Sequence, residues 1–183
     1  MNWTDRIKTH YEQNWQVASE ICPFTCGPIK DLSSDFKVLA FPPHAGRSMW
    51  TYATCGMAQP EDALPIELHL FSSKRDIRIV ELLFMVAHFH QTGSQLNLWH
   101  TVDFGRPWVG ESNCTYGLIS LPYLDGPDLE NLDEVVSPIR FYWLIPITKD
   151  ELELKKTAGV EALEVRFEEA NFDYSDPSRA SVA

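Results

Sequence analysis

The sequence predicts an α+β fold, with a mainly antiparallel or mixed sheet and helices packed on it. Two observations carry this. Segments of helical period and of period-two alternation follow one another as helix, strands, helix, strands, helix, unlike the regular strand–helix alternation of a doubly wound nucleotide binder. The 183 residues, 44% hydrophobic and 22% charged, also fit one ordinary globular domain.

The elements follow in order. Trp3, Ile7, Tyr11, Trp15 and Ala18 recur at steps of four and three, one face of an amphipathic helix that stops before Pro23. Residues 22–35 hold Pro, Gly and paired Ser and read as loop. Residues 1–35 are thus a helix and loop packing on a single globular unit, 36–183. Residues 36–41 form a short strand, ended by Pro42 and Pro43. Trp50, Tyr52 and Thr54 mark a strand with an aromatic face, and residues 66–71 alternate as a half-buried strand.

Residues 76–91 are the clearest helix, with Ile77, Val80, Leu83, Phe84, Ala87 and His88 on one stripe, Ser72 or Ser73 as cap, and Gly93 at its end. Short strands are expected at 99–104 and 116–121. Residues 125–134, with five acids and no base, read as a loop. Residues 139–145 are apolar enough for the centre of a sheet. Thr148 and Glu151 fit a capping box that opens a helical region reaching about residue 170, with Gly159 as a kink or break. The tail after 171 is polar and expected to fray, with Val182 as a possible anchor.

Charge excludes some partners. Lys and Arg total 15 against 26 Asp and Glu, a formal net charge of −11. Residues 93–183 hold 16 of those acids and only 7 of the bases. Nucleic acid and anionic membranes call for a basic face, so neither is expected as a partner; a protein with a basic surface is. Residues 1–8 show no secretory pattern, and the longest apolar stretch, 82–87, is too short to cross a bilayer. Four cysteines without a signal point to reduced thiols in the cytoplasm. Cys22 and Cys26 have a C-x3-C spacing that zinc tolerates, but Cys55 and Cys114 form no second knuckle, so inert thiols and no metal are expected.

Catalytic signals are thin. His88 and His90, two apart on a helix, point to different sides and share no metal easily. His100 and Asp103 are three apart near a strand end, which puts them on opposite faces. No nucleophile elbow, P-loop or dinucleotide fingerprint is present, and nothing around Cys55 argues for an activated thiol. No catalytic residue and no cofactor are expected. The competing reading is a small metal-dependent or thiol hydrolase using His100, Asp103 or Cys55.

Five motifs in order complete the sequence reading: Trp50-Thr51-Tyr52-Ala53-Thr54-Cys55-Gly56-Met57, Ile66-Glu67-Leu68-His69-Leu70-Phe71, His100-Thr101-Val102-Asp103-Phe104-Gly105, Ile145-Pro146-Ile147-Thr148-Lys149-Asp150-Glu151-Leu152 and Gly159-Val160-Glu161-Ala162-Leu163. Together they resemble the suppressor of fused domain over residues 36–179, in its stand-alone bacterial form. The resemblance implies an α/β sandwich and non-enzymatic protein binding. In animal members the domain helps to sequester Gli transcription factors by clamping a peptide as an added strand, together with a second domain for which this chain has no room. For bacterial members it implies an immunity protein that neutralises a cognate toxin; an intracellular scaffold or regulatory binding protein is the alternative. It also places partner contacts in residues 104–113, at Phe104, Arg106, Pro107, Trp108 and Glu111. There two readings of Trp108 and Arg106 stand open. They form an exposed hot spot, or Trp108 folds onto the core and Arg106 pairs with an acid.

Overall fold

The computed structural model describes residues 2–24, 27, 29–133 and 138–183. Its elements are α1 (Trp3–Trp15), β1 (Glu20–Cys22), a 3₁₀ turn (Ile29–Asp31), β2 (Lys37–Phe41), β3 (Trp50–Cys55), β4 (Ile66–Ser72), α2 (Ile77–Thr92), β5 (Thr101–Asp103), β6 (Tyr116–Ser120), α3 (Pro127–Glu130), β7 (Asn131–Leu132), β8 (Ile139–Ile147), α4 (Lys149–Ala158) and α5 (Val160–Ala170). The strands make one mixed sheet in the order β1-β2-β3-β4-β8-β6-β5, with β7 also paired to β8. Only β4 and β8 run parallel among the described pairs; their crossover contains α2, β5 and β6.

Helices cover both faces. On the front, Ile79, Leu83, Val86 and Ala87 of α2 pack on Val38, Tyr52, Leu68 and Leu144 of the sheet. The back is divided. One cluster sets Ile7, Tyr11 and Trp15 of α1 against Leu39, Phe41 and Phe141. A second sets Leu152 of α4 and Leu163 and Phe167 of α5 against Phe71, Trp143 and Ile145. Of the apolar positions that predicted α1, Ile7, Tyr11 and Trp15 are buried and Trp3 is half-buried, while Ala18 is exposed beyond the helix end; Asn2 caps the start by accepting from the Thr4 N–H.

Several expectations change. The cap of α2 is Asp76, which accepts from the Arg78 N–H; Ser72 lies outside the helix, where its hydroxyl donates to the Lys74 carbonyl. Ile77 is exposed, and His88 sits at the surface beside Asp31. The buried histidine of α2 is His90 instead, its Nδ1 accepting from the Leu96 N–H at 2.9 Å. β4 is buried along its whole length, because helices lie on both faces of a central strand. The acidic run contains α3 and β7, and Glu134 lies outside the described residues. Gly159, at φ 93, separates α4 from α5 as a break in the helical region.

The tail is tied down. The capping box of Thr148 and Glu151 forms as expected, but Glu151 also binds Arg179 (2.5 and 2.9 Å) and the Val182 N–H (3.0 Å). Both side chains of the ion pair are buried, which the polar tail sequence did not signal. Cys26 lies outside the described residues; Cys22, Cys55 and Cys114 are free and buried.

β4 carries three buried polar residues, Glu67, His69 and Ser72. Glu67 accepts from the Thr54 hydroxyl (2.5 Å) and from the Gly56 (2.9 Å) and Ala58 (3.1 Å) N–H groups, which shapes the turn after β3. Burial raises its carboxyl to about 7, although these donors pull the other way. A raised acid gives its stability below the ordinary pKa of 4.5 and loses it as pH rises through about 7. Glu67→Gln keeps an acceptor for both N–H groups and removes the titration. Chemical denaturation should show the variant gaining on the native protein between pH 5 and 7, with a slope approaching ~1.4 kcal/mol per pH unit.

Removing Arg179 should be costly in a different way. Arg179→Ala leaves the Glu151 carboxylate buried without its cation, and denaturant titration at neutral pH should show a loss of about 3–5 kcal/mol.

Candidate functional site

Two regions bear functional features. The first is the open edge of the sheet. β5 is the last strand, so one row of its backbone groups faces away from β6. The chain then enters the predicted contact segment. Phe104 and Trp108 are both buried and meet edge to face, 5.1 Å apart. Trp108 N–H donates to the Cys114 carbonyl at 2.8 Å. Arg106 is exposed and pairs with Glu81 on α2 at 3.0 Å, against the sulfur of Met85. The inward reading of Trp108 and Arg106 is therefore the one the structure adopts. Trp108 is a strut beneath the loop, and Gly105, Arg106, Pro107, Gly110, Glu111 and Asn113 are exposed on it.

The competing catalytic residues are not brought together. His100 is exposed in the turn before β5, and the Asp103 carboxylate accepts from the Gly105 N–H. The Cys55 thiol is buried and donates to the Thr4 carbonyl at 3.2 Å; burial pushes its pKa well up, the reverse of an activated nucleophile. Among the described residues, no three His, Cys, Asp or Glu side chains are grouped to hold a metal, and no helix is long and apolar enough to cross a membrane.

The second region is the seam on the back face between the α1 cluster and the α4–α5 cluster. Register sets His69 of β4 beside Trp143 of β8, and Trp143 beside Ser120 of β6. This row carries polar atoms between Phe141 and Ile145 of β8 and beside Phe71 of β4, all apolar and buried. Above it runs the connection from β6 to α3. A tight turn, with the Asp125 and Gly126 N–H groups both reaching the Pro122 carbonyl, drives Asp125 inward. Gly126, at φ 80, then lets the chain leave toward Pro127.

Asp125 is almost fully buried and gathers three segments. It accepts from the Trp15 indole of α1 at 2.7 Å and from the Arg47 guanidinium, which precedes β3. Its other oxygen lies 3.2 Å from His69 Nε2, within ion-pair reach but off the line of a good hydrogen bond. Arg47 is itself held over the rings of Phe71 (4.7 Å) and Trp15 (5.3 Å). Burial disfavours the Asp125 carboxylate, but His69 and Arg47 outweigh it and hold the carboxyl down at about 2.

Two clefts open beside this clasp, with Leu124 between them. One, of about 490 Å³, is lined by Asn14, His44, Arg47 and Asp125 among others. The other, of about 400 Å³, lies between the sheet and α5, over Ser120, Trp143 and Ile145. Sequence reasoning missed both. Asp125 read as one acid of a solvated loop, and no short motif links it to Arg47, 78 positions away. The available signal was the pair of polar residues, Glu67 and His69, on one face of β4.

Asp125→Ala should cost about 3–5 kcal/mol at neutral pH, because it leaves the largely buried Arg47 guanidinium without its anion. A depressed acid gives its stability above its ordinary pKa and loses it as pH falls through the folded value. The penalty measured for Asp125→Asn should therefore shrink as pH drops from about 4 to about 2, which denaturant titration at several pH values would show.

With this geometry in place, known proteins can be compared. The family model described as Suppressor of fused protein (SUFU) matches residues 33–180. A crystal structure of a SUFU homologue from Neisseria gonorrhoeae FA 1090 is 33% identical, covering 99% of this chain and 97% of its own, with a TM-score of 0.85. A Sufu–Fu complex shares 16% identity over 98% of this chain and 92% of the other, with a TM-score of 0.71. Drosophila Suppressor of Fused shares 15% over 98% of this chain and 51% of its own, with a TM-score of 0.70. A search of curated proteins gives no match. The family match spans most of the chain, and the bacterial structure agrees with it end to end: the chain belongs to the suppressor of fused family.

Proposed function

We propose that this protein is a non-enzymatic protein-binding module that receives its partner at the β5 edge and the adjoining loop, and that it acts as an immunity protein against a toxin domain. The observation that carries the binding reading is the open β5 edge beside an exposed Arg106–Pro107 turn, on a domain whose family is known through a partner complex. An edge strand with a rigid neighbouring loop suits addition of a partner strand, in which main-chain bonds supply affinity and loop side chains supply selection. Phe104 and Trp108 act in this reading from beneath, by fixing the loop on the core.

The immunity role rests on the bacterial character of the family match, and the charge supports a basic partner. Glu161, Glu164, Glu168 and Glu169 crowd α5, with Arg166 as its one base. Such a surface speeds encounter with a cationic protein in a salt-dependent way. A cytoplasmic place of action belongs to the same reading. Scaffolding without toxin neutralisation is the alternative, and it predicts binding without protection of a toxin-expressing cell.

The test uses surface residues, because Trp108→Ala would remove a buried ring at about 3–5 kcal/mol and confuse folding with binding. Joint replacement of Arg106, Pro107 and Glu111 by Ala should leave the melting temperature unchanged. It should also weaken capture of a co-expressed cognate toxin domain by at least ~tenfold, about 1.4 kcal/mol. Unchanged affinity would place the interface elsewhere.

A further inference from the structure

The cleft between the sheet and α5 has features that packing alone does not account for. Its floor is Trp143 and Ser120, side by side in register. Both residues are more than nine-tenths buried, yet neither the Trp143 indole N–H nor the Ser120 hydroxyl has a hydrogen-bond partner among the described residues. A buried polar group left unpaired costs ~1–3 kcal/mol, so two of them lining one cleft point to a ligand that supplies the missing partners.

The walls define that ligand's chemistry. Phe167, Phe172 and Tyr174 give aromatic surfaces, with Tyr174 edge-on to Trp143 at 5.2 Å. Glu164 and Glu168 bring two carboxylates, and no base lines the cleft among the described residues. Burial holds the Glu164 carboxyl above the ordinary range, against the pull of the Tyr123 hydroxyl, and repulsion from Glu161 and Glu168 adds to it; a cation entering the cleft relieves that repulsion. The lip is Tyr123 and Leu124, 57% and 48% exposed, the Tyr123 hydroxyl meeting Glu164 at 3.2 Å. The rings already show their affinity for guanidinium: Arg179 lies 5.6 Å from Phe167 and 5.0 Å from Phe172, its charge matched by Glu151.

We infer that this cleft receives an arginine side chain from the partner protein, stacked on the aromatic walls and neutralised by Glu164 and Glu168. A planar guanidinium both stacks on rings and pairs with carboxylates, which a compact ammonium does less well. Ser120 Oγ accepts one of its N–H groups, and the Trp143 N–H donates to a main-chain carbonyl that enters with it. The inference rests on the protein-binding reading and adds a second contact, on the back face, to the β5 edge.

The experiment follows the Trp143 indole signal by ¹H–¹⁵N NMR, assigned with Trp143→Phe, during titration with N-acetyl-arginine amide. This probe carries both the guanidinium and the carbonyl; N-acetyl-citrulline amide has nearly the same shape without the charge. The arginine probe should move the Trp143 signal, with the citrulline probe at least ~tenfold weaker. The joint Glu164→Gln and Glu168→Gln variant should abolish the difference at unchanged melting temperature. No movement of the signal, or equal movement with citrulline, would overturn the inference. The partner separates the two claims. If the Glu164/Glu168 variant keeps full affinity while the Arg106/Pro107/Glu111 variant loses it, the cleft is wrong and the binding module stands. If both lose affinity, both stand.

Discussion

The back of this molecule depends on one buried carboxylate. Asp125 joins α1 through Trp15, the approach to β3 through Arg47, and β4 through His69. It ties α1 and the approach to β3 to the connection between β6 and α3, over the middle of the sheet. Burying a carboxylate, a guanidinium and an imidazole together is expensive, and the mutual pairing offsets the desolvation. The Arg47 charge is further spread over Phe71 and Trp15, one ring from each apolar cluster. The clasp thus fixes where the layers part, and the clefts lie where they part.

That arrangement gives a family domain two kinds of surface. The β5 edge offers backbone, braced by a loop whose large aromatics point inward. The seam offers side-chain chemistry: rings, acids and two unpaired polar atoms around a cavity. A partner strand at the first and a basic residue at the second are compatible demands on one basic protein. They also divide the work physically, since main-chain pairing gives affinity with little selectivity, and a buried charged pocket selects.

Elements whose signal is local were legible in the sequence. The i, i+4 series of Trp3 to Trp15, the capping box at Thr148 and the break at Gly159 each depend on residues within one or two turns. The apolar run of β8 correctly indicated an interior strand. What stayed hidden depends on long-range partners. His69 and Glu67 look like the solvent face of a half-buried strand until helices are known to cover both faces. Arg179 looks like tail until Glu151 is found beneath it. The predicted loop was placed from family resemblance, and its side-chain orientation was not readable, because an aromatic next to Gly and Pro suits a strut as well as an exposed anchor.

The claim that Asp125 clasps the back face is tested most directly by hydrogen–deuterium exchange on Asp125→Asn under native conditions. With the clasp broken, protection should fall together in three separate segments: the last turn of α1, residues 44–47 and residues 121–126. Loss confined to residues 121–126, with α1 and the approach to β3 as protected as in the native protein, would contradict it.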